Sequence, residues 1–195
     1  MFGARRLDSS ERHGGLVFAV AFESAFKLVA FLLVGIFVTY GLFDGVGDIM
    51  AKMKESSYAG LMTLSEGSQE SYLEWTSLTF LSMMAILFLP RQFHVAVVEN
   101  TSADHIKKAV WLFPLYLFLI NLFVLPIAYG GLMLGGAQEK ADLFVLSIPL
   151  QQGNPLLAAI VFLGGFSAAT AMVIVESLAL STMVMNSLVL PPLLG

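Results

Sequence analysis

The sequence predicts an all-α integral membrane protein with about four transmembrane helices. Of its 195 residues, 57% are hydrophobic and only 12% are charged, whereas a soluble domain is usually about 25% charged. The mean hydropathy is +0.83, and the apolar residues lie in blocks long enough to cross a hydrocarbon core of about 30 Å. These observations predict a single transmembrane domain over residues 1–195 that contacts the lipid bilayer.

Each predicted span corresponds to one apolar block. The four blocks cover residues 16–43, 72–89, 110–134 and 155–183. All of them approach or exceed the roughly 20 residues that a transmembrane helix needs. The first and the last are longer, so we expect them to tilt or to extend beyond the bilayer.

The connections and one span carry further predictions. A short surface helix is predicted over residues 50–55. The apolar piece at residues 143–148, stopped by Pro149, is too short to cross the membrane and is expected at the interface. Pro114 and Pro126 interrupt the third span.

Asn121 is the polar residue between those two prolines. An amide within a membrane helix usually bonds another helix. We therefore expect Asn121 to bond a neighbouring helix.

The basic residues predict the orientation of the spans, because cytoplasmic connections carry an excess of Lys and Arg. One side of the predicted membrane holds Arg5, Arg6, Arg12, Arg91, Lys107 and Lys108. The other side holds Lys52, Lys54 and Lys140. Both termini are therefore predicted to be cytoplasmic.

Several functional classes are disfavoured by what the sequence lacks. The ten Lys and Arg residues are scattered, so no basic stripe predicts a nucleic-acid partner. The absence of cysteine excludes disulfides, thiol catalysis and thiolate metal sites. No motif of the known soluble catalytic types occurs, and we expect no enzymatic activity in this chain.

A helix break with polar residues follows the second apolar block. It consists of Pro90, Arg91, Gln92 and His94. Hydrocarbon tolerates such residues only where they line a cavity, meet a partner or reach an interface. Because the predicted orientation puts the break at the cytoplasmic end, we expect an inner-gate or loop role, with Arg91 available to headgroups or to Glu176.

Glu23 and Lys27 are two charged residues within the first span. Their i, i+4 spacing stacks them on one helical face, and pairing lowers the free-energy cost of placing both in hydrocarbon. One interpretation is an intrahelical pair in which Lys27 snorkels to the cytoplasmic interface. The other is an ion-pair or gating network that faces the helix bundle.

The fourth span carries a narrow stripe of hydroxyl groups. At about 100° per residue, the stripe contains Ser167, Thr170, Ser177 and Ser181. Two interpretations stay open: interhelical hydrogen bonds in a tightly packed interface, or oxygen ligands for a hard cation such as Na⁺. Glu176 lies on the opposite side of this helix as a lone acid, which favours a role inside the bundle.

Six runs of sequence carry a resemblance to a known family. They cover residues 2–8 with 11–13, 22–24 with 27–31, 88–100, 111–116, 121–126 and 164–170. Together they resemble the sodium/solute symporter family, and the likeness is greatest to the branch that is fused to hybrid sensor histidine kinases. The run at residues 88–100 is the most specific of the six.

The resemblance implies the inverted-repeat (LeuT-like) transporter fold, built from two five-helix repeats. The four spans would be core helices five to eight, with the Pro90 to His94 break in or beyond helix six. Relatives hold a sodium ion with hydroxyls of helix eight, for which Ser167, Thr170 and Ser181 are the candidates here. The resemblance also implies a bacterial inner membrane, with the missing helices and a kinase region in a parent protein.

Three hypotheses of function follow. The first is a fragment of a symporter-like sensor domain that binds or transports a small solute, such as an amino acid, with Na⁺ as the coupling ion. The second is a fragment of a stand-alone Na⁺-coupled transporter, and the third is a membrane interaction module that transports nothing. We expect that the chain alone does not transport, because half of the sodium site would lie on missing helices.

Overall fold

The computed structural model describes residues 14–62, 69–89, 97, 100 and 102–194. Within these residues the chain forms helices and connecting turns, and no strand occurs among them. The all-helical class that the sequence predicts is confirmed.

The first span is one long helix with a distorted end. Helix α1 covers Gly14–Ile36 and continues as a π-helical segment over Phe37–Leu42. Glu23 and Lys27 are its charged residues. The stretch Val17–Leu42 is long and apolar enough to cross a membrane, which agrees with the predicted span at residues 16–43.

A short amphipathic helix, α2, follows at Val46–Glu55. The chain turns into it at Gly45, whose φ of 106° lies in the left-handed region that glycine adopts at low cost. Ile49 and Met53 lie one turn apart and are buried, while Lys52 is exposed. The surface helix predicted over residues 50–55 is therefore present, and it begins earlier because Ile49 contributes to its buried face.

The predicted second span forms helix α3, Gln69–Phe88, after a 3₁₀ turn at Ala59–Met62. The side chains of residues 72–83 are exposed. Helix α3 makes no substantial contact with another described element. By length and hydropathy it is not one of the three candidate membrane spans in the described part of the chain.

The third span begins earlier than the sequence predicts. Helix α4 covers Ala103–Asn121, so residues 103–109, expected to be a connection, are helical. The reason is an N-cap: the Ser102 hydroxyl accepts the backbone N–H of Asp104 at 3.3 Å, which satisfies one free donor of the first turn.

The third span also breaks at a place other than its prolines. Pro114 lies within α4 without ending it, and helix α5 begins at Val124 and ends at Met133. Pro126 is the third residue of α5, where a backbone N–H has no intrahelical partner to lose. The expectation that Asn121 bonds a neighbouring helix is wrong, because its amide donates to the Leu117 carbonyl of its own helix at 2.7 Å.

The connection after α5 folds back onto the helices. It contains a 3₁₀ segment at Gln138–Leu143 and helix α6 at Phe144–Gln151. The expectation that Pro149 stops the apolar piece is wrong, because α6 continues for two residues beyond it. Pro149 costs α6 one hydrogen bond, and its burial together with Ile148 compensates for that loss.

The fourth span is the longest helix. Helix α7 covers Pro155–Val184, continues as a π-helical segment over Met185–Val189, and is followed by helix α8, Leu190–Leu194. Its start has a strong signal, since the Asn154 side chain accepts the N–H of Leu157 at 3.2 Å and a proline occupies the first helical position. The span predicted at residues 155–183 is present.

Helices α1 and α7 form the most extensive pair among the described elements. Small residues allow the close approach: a Cβ added at Gly164 would lie 3.4 Å from the Cβ of Ala30. A core between these helices and α2, α5 and α6 is completed by other buried side chains, namely Val34, Val38, Ile49, Met53, Ile127, Tyr129, Leu132, Phe144, Ile148, Leu157 and Val161.

The packed pairs give the directions of the helices. Gly35 of the first span faces Phe123 of the α4–α5 span, and Val38 faces Gly130. The second contact lies later in both spans, so the two spans run parallel. Gly164 of α7 faces Ala30 and Phe26 of α1.

Three helical stretches are long and apolar enough to cross a membrane. They are Val17–Leu42, Asp104–Met133 and Pro155–Pro192. Most of their surface is not covered by the described part of the protein, and large apolar side chains such as Phe22, Trp111 and Phe166 are exposed. The protein therefore has the features of a multi-pass membrane protein that contacts the bilayer.

Candidate functional site

A groove of about 420 Å³ lies where α1, α6 and α7 meet. Its volume falls in the range of about 300–1,000 Å³ that is typical of ligand sites. Its lining is mostly apolar and comes from four elements, through Lys27, Ala30, Phe31, Asp142, Leu143, Val145, Leu146, Val161, Phe162, Gly164, Gly165 and Phe166.

Lys27 is the basic side chain of the groove lining. Its Nζ lies 4.0 Å from the Glu23 Oε1 atom, so the two groups attract each other but form no hydrogen bond. The Lys27 side chain is 32% exposed and that of Glu23 is 12% exposed. The two charged groups thus lie within ion-pair distance on one helical face, and Lys27 borders the groove.

Tyr116 of α4 lies within electrostatic reach of Glu23. Helix α4 packs on α1, and the Glu23 side chain is mostly covered. The pair therefore has an acid on the inner, more covered side and an ammonium on the more open side.

The wall opposite Lys27 is aromatic and glycine-rich. The Phe162 and Phe166 rings stack with centroids 6.2 Å apart and an interplanar angle of 18°. Between them along α7, Gly165 leaves space, since a Cβ added there would meet nothing within 4 Å. The groove can therefore take an apolar group beside the ammonium of Lys27.

Asp142 and the groove phenylalanines Phe31, Phe162 and Phe166 were not singled out from the sequence. Asp142 belongs to the 3₁₀ segment between α5 and α6, lines the groove and is exposed. Nothing in the local sequence predicts which helix this segment meets, since that is decided by tertiary packing. The Gly164–Gly165 pair beside Phe166 is the one sequence signal that could have indicated an opening on α7.

The hydroxyls proposed as Na⁺ ligands do not converge with one another. Ser167 donates to the Gly164 carbonyl at 3.0 Å, Thr170 to Phe166 at 2.9 Å, and Ser181 to Leu178 at 2.9 Å. Each hydroxyl thus bonds its own helix.

The hydroxyl stripe also faces away from the packed side of α7. That packed side holds Gly164, Ala168, Val175 and Ala179, whereas Thr170 is exposed. Among the described residues, no group of three or more His, Cys, Asp or Glu side chains could hold a metal ion. Because Thr170 is exposed, the described helices leave the face of α7 that carries the stripe uncovered.

The remaining predicted residues are not brought to the groove. Glu176 is half-buried on α7, and no ion pair joins it to another described residue. Arg91, Gln92 and His94 lie outside the described residues, as does Pro90. Their predicted gating role stays a prediction.

Two further features lie away from the groove. Thr39 is fully buried in the π-helical segment, and its hydroxyl has no hydrogen-bond partner among the described residues. A second cavity of about 310 Å³ lies between the glycine-rich connection after α5 and helix α6, with Lys140, Ser147 and Gln151 in its lining.

Comparison of the chain with protein-family models, with curated proteins and with solved structures found no match. The resemblance to sodium/solute symporters therefore stays a prediction from the sequence. Function is argued below from the groove, the helix directions and the uncovered face of α7.

Proposed function

We propose that this chain forms part of a membrane module that binds a small solute together with Na⁺, as in the sodium/solute symporter family. The groove at Lys27 is the observation that carries the proposal. Lys27 is the eleventh residue of the candidate span Val17–Leu42, about 15 Å along the helix from its start. A charged side chain at that depth usually lines a cavity or a solute path.

The helix directions support a fourth membrane crossing. Because α1 and the α4–α5 span run parallel, the chain must return across the membrane between residues 42 and 103. Helix α2 has 10 residues, about 15 Å, and is too short, whereas α3 has 20 residues, about 30 Å. We therefore assign the return crossing to α3, with four spans corresponding to core helices five to eight of the inverted-repeat fold.

The positive-inside rule supports the orientation of these spans. With both termini cytoplasmic, Lys107 and Lys108 at the start of α4 lie on the inner side. Helix α2 and Lys140 then lie on the outer side of a bacterial inner membrane.

The uncovered face of α7 is where the rest of the ion site would dock. Ser167 and Thr170 present hydroxyl oxygens there, and Ser181 is the third candidate. In this proposal, Na⁺ is held between α7 and a helix of the parent protein, since one row of hydroxyls does not fill the coordination of a hard cation. The chain alone then binds no Na⁺ tightly and does not transport.

Alanine substitutions in the parent protein test the Na⁺ site. We expect Ser167→Ala and Thr170→Ala each to raise the Na⁺ concentration for half-maximal solute binding by about tenfold, because each removes one oxygen ligand. Ser187→Ala is the matched control, since this exposed hydroxyl lies beyond α7 in the π-helical segment. An unchanged Na⁺ dependence in both variants would show that these hydroxyls of α7 do not bind Na⁺.

Whether the parent protein senses or only transports depends on what is attached to it. A reading frame that continues into a histidine kinase, whose autophosphorylation responds to the solute, would select the sensor. Na⁺-dependent uptake with no attached kinase would select the stand-alone transporter.

A membrane interaction module is the alternative that one observation favours. The stripe hydroxyls already bond carbonyls of their own helix, as hydroxyls do when they face lipid or a packed helix. In that case Ser167→Ala and Thr170→Ala change helix association, and solute binding shows no Na⁺ dependence.

A further inference from the structure

We infer that the groove between α1 and α7 takes a solute with a carboxylate and an apolar body, and that Lys27 binds the carboxylate. The inference rests on the proposed function, because it names the class of solute for the same groove. It goes further in assigning the recognition of the anionic group to one residue.

The geometry at Lys27 leaves its ammonium available to a ligand. An ammonium group has three N–H donors, and the contact with Glu23 at 4.0 Å is too long for a hydrogen bond. No other hydrogen bond joins Lys27 to a described residue. A ligand carboxylate at ordinary hydrogen-bond distance, about 2.8 Å, would form a shorter and stronger charge-assisted bond than Glu23 does.

Glu23 acts in this arrangement as a competitor for Lys27. With no ligand bound, it lowers the free-energy cost of an ammonium in hydrocarbon. When the ligand carboxylate binds, it takes over that neutralisation, and Glu23 stays on the covered side beside Tyr116. Removing the charge of Glu23 should therefore strengthen ligand binding.

The remaining lining residues of the groove favour a ligand with an apolar body. Phe31, Phe162 and Leu146 line the groove, and Gly165 leaves open space among them. Asp142 is the acid among the lining residues and is exposed, so solvent screens its charge more than the protein screens that of Lys27. An apolar carboxylate therefore fits this lining, with its charge beside Lys27 and its apolar body against the phenylalanines.

The test uses the whole chain in lipid nanodiscs and two probes of the same shape, 3-phenylpropanoate and 3-phenylpropan-1-ol. We expect the carboxylate to bind at least about tenfold more tightly than the alcohol, because only the carboxylate forms the charged bond. Equal binding of the two probes would overturn the inference without any substitution in the protein.

Substitutions then locate the charge that binds the probe. Lys27→Met is expected to weaken 3-phenylpropanoate binding about tenfold and to leave the alcohol unchanged, whereas Lys27→Arg retains binding. Glu23→Gln is expected to strengthen binding of the carboxylate. The matched control is Lys54→Met, since Lys54 is an exposed lysine of α2 that lines neither cavity.

The result separates this inference from the proposed function. In the parent protein, carboxylate binding that depends on Lys27 but not on Na⁺ supports the inference and contradicts Na⁺ coupling. If the parent protein binds a solute in a Na⁺-dependent manner and Lys27→Met does not change that binding, the proposed function is supported and the inference is overturned. Weaker binding in Glu23→Gln would also overturn it, because Glu23 would then act with the ligand rather than against it.

Discussion

At the scale of single residues, Thr39 is the clearest local cost in the structure. Its side chain is fully buried, and its hydroxyl has no hydrogen-bond partner among the described residues. The residue lies in a π-helical segment, and segments of this kind within α-helices are frequent at functional sites. A buried hydroxyl without a partner costs about 1–3 kcal/mol.

Thr39→Val is expected to raise the stability of the protein by about 1 kcal/mol, because it removes the unpaired hydroxyl and keeps the branched shape. The apparent unfolding temperature in detergent measures the effect. Thr39→Ser is the control that keeps the hydroxyl and loses a methyl group, and it should lower the unfolding temperature. A decrease with Thr39→Val would mean that the hydroxyl does have a partner.

Asp48 on α2 offers a test that depends on pH. A hydrogen bond from the Lys52 ammonium at 2.7 Å is the main cause that lowers the pKa of the Asp48 carboxyl, and the backbone N–H of Asp44 also lowers it. Since the pKa is lower in the folded state, the ionised carboxyl stabilises the fold above its ordinary pKa. That contribution is lost as the pH falls through the lowered value.

An NMR titration of the Asp48 carboxyl is expected to show a pKa below the ordinary 3.8. Lys52→Met should raise this pKa toward the ordinary value, since it removes the main cause. Lys54→Met leaves it unchanged in the same titration, because Lys54 forms no bond with Asp48 in the structure. An Asp48 pKa that does not change in Lys52→Met would contradict the assignment of Lys52 as the main cause of the lowered pKa.

At the scale of elements, two adjacent glycines of α7 have different roles. Gly164 is buried against Ala30 of α1, and an added Cβ would lie 3.4 Å from the Ala30 Cβ. Gly165 opens onto the groove, and an added Cβ there meets nothing within 4 Å. One glycine therefore sets how closely two helices approach, and its neighbour keeps space for a ligand.

Gly164→Leu is expected to destabilise the protein by about 1–3 kcal/mol relative to Gly165→Leu, because the larger side chain forces α1 and α7 apart. Both variants gain the same helix propensity, so their difference in unfolding temperature reports packing alone. Gly165→Leu should instead fill the groove and weaken binding of 3-phenylpropanoate. Equal stability of the two variants would contradict the close α1–α7 interface.

At the scale of the whole molecule, the directions of the helices decide the topology. Helix α1 and the α4–α5 span run parallel. In the proposed topology, the connection between α1 and α4 changes sides of the membrane, although α3 makes no substantial contact with another described element. Lipid or helices of a parent protein would then cover its exposed side chains.

Cysteine labelling tests this topology, since the chain contains no cysteine of its own. We expect a membrane-impermeant maleimide to label Lys54→Cys on α2 in intact cells. Lys108→Cys on α4 should be labelled only after permeabilisation, because the proposed crossing by α3 and the positive-inside rule predict that it lies on the inner side. Labelling of both from one side would contradict the crossing by α3.

Much of the fold could be predicted because apolar length and capping are local properties. The span at residues 155–183 agrees with helix α7, whose start is marked by Asn154 and Pro155. Predictions at Asn121, Pro149 and residues 103–109 were wrong, because each depended on a partner or cap outside the apolar pattern. The stripe of hydroxyls on α7 is present, but the partner that would complete a cation site is not among the described residues.

The sequence by itself determined that this protein is helical, that it contacts lipid, and that Glu23 and Lys27 share one helical face. Composition, apolar length and i, i+4 spacing are properties of the chain alone. Only the tertiary structure decided that Lys27 borders a groove with Phe31, Asp142 and Phe162. These residues lie far apart in the chain, and they meet because small residues let α7 approach α1 while α6 packs across both.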